Sequence, residues 1–159
     1  MEPTKGIDMI DGPVQHRALV RVLLAVLLAS GLLLGLWAAF FPQAFYDSFP
    51  GLGRTWVSVD GPYNEHLVRD VGNLFLGLTV VTGFALVAMT SVLVRATAAG
   101  WLVFAALHFA YHLRHLDMYE GVDVAGNVAS LASMVLVAIV LLAVAAPDRT
   151  SSRTPAGTT

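Results

Sequence analysis

The run His108-Phe-Ala-Tyr-His112-Leu-Arg-His115 sets three imidazoles at i, i+4 and i+7, so on a helix they share one face. Imidazole ligates metals and haem and carries protons, and an ionisable group inside an apolar segment marks function by default. A second run, Glu65-His66-Leu-Val-Arg69-Asp70-Val-Gly-Asn73, repeats polar groups at similar spacing. The HxxxH pair His108 and His112 can reach a single ion from one helix face. With Asp70, His66, Glu65 and His115 it would offer three or four nitrogen and oxygen ligands, which suits Zn, Mn, non-haem Fe or Cu(II). Cu(I) is disfavoured, because only Met118 offers sulfur nearby. Asn73, Asn127 and Arg69 would support the set.

Those side chains sit in a chain built for lipid. Its 159 residues are 57% hydrophobic and 13% charged, with mean hydropathy +0.72. A soluble domain is about 45–50% apolar and about 25% charged. The net charge of -2 and the lack of a basic stripe argue against a nucleic-acid partner. Cysteine is absent, which removes disulfides, iron–sulfur clusters and thiol redox chemistry.

Four apolar segments, about 19–41, 64–89, 96–115 and 122–146, are each long enough to cross a bilayer. The fold expected is an all-α, integral membrane four-helix bundle over residues 17–147. Residues 1–16 read as a disordered lead and 148–159 as a disordered, Ser/Thr/Pro-rich tail. The first segment is too long for a signal peptide and opens after acidic residues, so it is expected to stay as a membrane helix. Gly31 and Gly35 form a GxxxG, and Ala25 with Ala29 extends a small-residue face suited to close helix contact. The connection 42–62 holds Phe45, Tyr46, Phe49 and Trp56 between Pro/Gly turn signals, as in a segment lying at headgroup level. Asp60 or Asn64 caps the second helix. Residues 90–95 form the next turn.

Positive charge flanks three regions that share a side in a four-span chain: Lys5, Arg17 and Arg21; Arg95; Arg149 and Arg153. Both termini are therefore expected to be cytoplasmic, in a multi-pass protein of the bacterial plasma membrane. The two acidic connections then face outward. At about 1.5 Å rise per residue, His66 and His115, Asp70 and His112, and Asn73 and His108 share levels in the outer half, with Asp123 and Asn127 from the fourth helix.

The leading expectation is an outward-facing His/carboxylate cluster that binds a transition metal. The alternative from another class is a non-catalytic accessory subunit whose polar cluster ties the helices together or binds a partner. In that case the aromatic connection is the docking surface, for a membrane protein or a second copy. A further alternative is a single b-type haem between facing histidines such as His66 and His112. Membrane hydroxylases and desaturases use several His boxes, and one run plus His66 is too few unless carboxylates take most positions. A proton carrier lacks a continuation of the relay through the inner half. The segment Arg69-Asp70-Val-Gly72-Asn73-Leu-Phe-Leu-Gly77-Leu resembles the Arg-x-x-Gly-x-x-x-x-Gly helix of small DoxX-like four-helix membrane proteins, which are similar in size and span count. Gly61-Pro-Tyr-Asn-Glu-His-Leu-Val-Arg-Asp70 resembles stretches of uncharacterised bacterial membrane proteins. The likeness implies a four-helix membrane fold and transfers no catalytic residue.

Overall fold

Proline and polar punctuation divide the apolar sequence into helices. The computed structural model describes residues 14–145. Helix α1 (Arg17–Phe40) stops before Pro42, whose ring pushes Phe41 out of helical geometry (φ −130°, ψ 55°). Pro42 then opens the short α2 (Pro42–Ser48), where its missing N–H costs nothing. Strands β1 (Pro50–Gly51) and β2 (Arg54–Thr55) form a minimal antiparallel hairpin, followed by a 3-10 turn at Ser58–Asp60. Asn64 caps α3 (Glu65–Ala88), its side chain accepting from the Leu67 N–H at 3.1 Å. After Met89 and Thr90 come α4 (Ser91–Leu113), a 3-10 turn at Leu116–Met118, and α5 (Val122–Val144).

The four long helices are all long and apolar enough to cross a membrane, and the all-α four-helix bundle is as expected. Three details differ. Helix α4 begins at Ser91, because nothing in 90–95 breaks a helix and Ser91 is held by its hydroxyl donating to the Ala145 carbonyl. It also ends at Leu113, which leaves His115 beyond the helix. At the other extreme, Val14 belongs to the fold: it is buried, and its N–H donates to the Met89 carbonyl at 3.3 Å. The rest of the expected disordered lead, and the whole C-terminal tail, lie outside the described residues.

The Val14–Met89 and Ser91–Ala145 bonds gather the start of α1, the α3–α4 turn and the end of α5 at one end of the bundle, here the terminal end. The connections α1–α3 and α4–α5 meet at the opposite, cap end. Helices α1 and α3 pack through glycine. A Cβ on Gly72 would lie 2.3 Å from the Ala39 nitrogen, and one on Gly35 would lie 2.9 Å from Leu76. The small face runs on through buried Ala38 and Ala39; the expected continuation, Ala25 and Ala29, is exposed. Trp101 of α4 fills the middle, its indole N–H donating to the Thr82 hydroxyl of α3 at 2.9 Å. Much of the remaining apolar surface points outward, including Leu33, Phe84, Val103 and Leu136. A lipid solvent tolerates this and water does not.

Candidate functional site

The connection 42–62 is a folded cap. Four rings, Trp37, Phe45, Phe49 and Trp56, follow one another in edge or tilted contacts with centroids 4.9–6.1 Å apart. The hairpin reverses at Leu52 and Gly53, both at positive φ (58° and 74°), as a two-residue turn between right-twisted strands requires. The reversal carries Arg54 and Trp56 to the first turn of α5. There Asp123 accepts from the Arg54 guanidinium and, at 2.8 Å, from the Trp56 indole.

A second set of bonds reaches α4. The Tyr111 hydroxyl donates to Asp60 at 2.8 Å. Tyr119, which follows the 3-10 turn after α4, sets its hydroxyl 3.1 Å from the Trp56 carbonyl and 3.3 Å from His112 Nδ1. Burial pushes the Tyr119 phenol up to about 12; the charges of Asp60 and Tyr111 add to this, and the Asn127 amide opposes it. His112 is buried, edge-on to His108 with ring centroids 4.6 Å apart, and His108 stacks on Phe104. Asn127 is 3% exposed, and its Oδ1 has no hydrogen-bond partner among the described residues.

The sequence-expected ligands divide into two groups. His108, His112 and Asn127 come together around Tyr119. The others do not join them. His66 and Asp70 pair with each other at 3.3 Å along an outward face of α3, their side chains 88% and 50% exposed. Glu65 pairs with Arg69 at 2.8 Å, and Arg69 also donates to the Ala39 carbonyl. His115 stacks on Tyr111 and bonds its carbonyl through Nδ1 at 2.8 Å. The reason is rotational. Gly72 must face α1, and Asp70, two residues away at about 100° per residue, is turned to the opposite side. Shared depth on two helices therefore does not become a shared site. Among the described residues no three His, Asp or Glu side chains are grouped to hold a metal ion, and exposed His66 does not face buried His112 as a haem pair would require.

Sequence reasoning missed Tyr119, Tyr111 and Arg54, and offered Asp60 only as an alternative to Asn64 for the cap of the second helix. Their signal was the concentration of aromatic and charged residues in the two cap-end connections, which marks a folded surface but does not say who pairs with whom. Comparison with protein-family models, with curated proteins and with solved structures finds no match to this chain.

Proposed function

We propose that this chain is a non-catalytic, multi-pass membrane protein that presents a small folded cap on the outer side of the bilayer, as an accessory subunit would. One observation carries the reading: polar side chains at the cap end fasten the connection 42–62 to α4 and α5, through Asp123, Tyr111 and Tyr119. A loop with no task beyond joining two spans has no need of that fastening. Both termini are then cytoplasmic, since the sequence sets six basic residues (Lys5, Arg17, Arg21, Arg95, Arg149 and Arg153) in the terminal and α3–α4 regions against Arg54, Arg69 and Arg114 in the other two connections. The test is limited proteolysis of the full chain in detergent. Asp123→Ala and Tyr119→Phe should speed cleavage in 42–62 several-fold with the helices intact; unchanged cleavage would count against a fastened cap.

A second reading keeps the metal. The uncompensated Oδ1 of Asn127 lies in the same knot as His112 and His108, and a cation held by two imidazoles and an amide oxygen would compensate it. Less than about one tenth of an equivalent of Zn, Cu, Fe or Mn per untagged chain, after each is supplied, would sink that reading. A missing Soret band after haem supplementation would do the same for haem.

A further inference from the structure

Within the exposed surface of α3, six residues make one stripe: His66, Asp70, Asn73, Gly77, Val80 and Phe84. Their spacing is 4-3-4-3-4, the seam of a left-handed helix pair. On an apolar membrane helix this face ought to be the most hydrophobic, yet its first half is ionisable or amide. Asn73 lies about 12 Å along α3 from Glu65, within the span, and its side chain has no hydrogen-bond partner among the described residues. Polar groups at such depth face the bundle interior, a cavity or another helix. Nothing among the described residues covers them.

We propose that this stripe is where two copies of the chain pair, α3 against α3, about a two-fold axis along the membrane normal. A two-fold sets residues near the axis opposite their own copies, so the seam must be complementary to itself. The stripe meets this at Asn73 and Gly77, and His66 and Asp70 meet it as a crossed pair. The Asn73 amide carries both donor and acceptor and can pair with Asn73 of the second copy, as a single seam asparagine does in coiled coils. Gly77 needs no smallness within its own chain, since a Cβ built on it meets nothing within 4 Å; in the pair it lets the backbones approach. His66 and Asp70 are of opposite charge when the imidazole is protonated, so each can reach the other residue on the second copy. Val80 and Phe84 continue the contact toward the terminal end.

The chain has no native cysteine, so single cysteines report the contact without background. In native membranes treated with a permeant oxidant, Val80→Cys should form a disulfide-linked dimer. Val103→Cys, comparably exposed on α4, should not. Asn73→Leu and Gly77→Ile should leave the helical content and unfolding of the monomer unchanged while weakening the dimer at least about tenfold by energy transfer between labelled full-length chains. Equal cross-linking at 80 and 103, none at 80, or a cross-link from 80 only to a different protein would each overturn pairing of two copies.

Discussion

The Tyr119 hydroxyl ties two parts of the cap end together, since it meets both His112 and the Trp56 carbonyl. Tyr119→Phe would strip partners from buried groups, and an unsatisfied buried donor or acceptor costs about 1–3 kcal/mol. A lowered unfolding midpoint in detergent checks this. The same phenol gives a pH signature. Its folded pKa of about 12 lies above the ordinary 10.0, so the folded state holds the proton more tightly. The sign follows: nothing is lost below pH 10, stability falls as pH rises from 10 to 12, and the loss levels off above. That part of the alkaline decline should vanish in Tyr119→Phe, with Asp60, Tyr111 and His112 still in place; an identical decline in both proteins would contradict it. Asp123→Ala removes an ion pair whose side chains are about a third exposed, together with an indole bond, so a smaller drop in the same midpoint is expected.

Glycines separate the two faces of α3. At Gly72 an added methyl would run into the Ala39 backbone, which cannot swing aside as a side chain could. Gly72→Ala should therefore part α1 from α3 at a cost of about 1–3 kcal/mol, while Gly77→Ala should leave the monomer as stable or slightly more so, by up to about 1 kcal/mol of helix propensity. Paired unfolding curves decide it. The helices themselves were legible in the sequence because apolar length, Pro42 and Asn64 act locally. Rotation about each axis was not, because it is set by which glycine finds a neighbour. GxxxG announced that α1 would be approached closely without naming Gly72 as the residue approaching. For that reason the sequence suggested a depth for Asp70 and no direction. The cap was opaque for a similar reason: Arg54 and Trp56 find Asp123 only after a hairpin too short to show a strand pattern.

Across the molecule, packing divides the two ends, and the acidic residues Asp47, Asp60, Asp117, Glu120 and Asp123 gather at the cap end. Arg17, Arg21 and Arg95 belong to the end where Val14, Met89, Ser91 and Ala145 meet, and the cap lies at the other. A cysteine at the fully exposed hairpin tip, Leu52→Cys, should react with an impermeant thiol reagent on intact cells, and Thr90→Cys should react only after lysis. The reverse pattern would invert the protein. The fastened cap itself is tested most directly by hydrogen exchange over residues 42–62 in the full chain, comparing the parent with Asp123→Ala. Slow exchange in the parent that rises at least about tenfold in the variant, with α3 and α4 unchanged, is the expected result. Fast exchange through the cap in both proteins would contradict it.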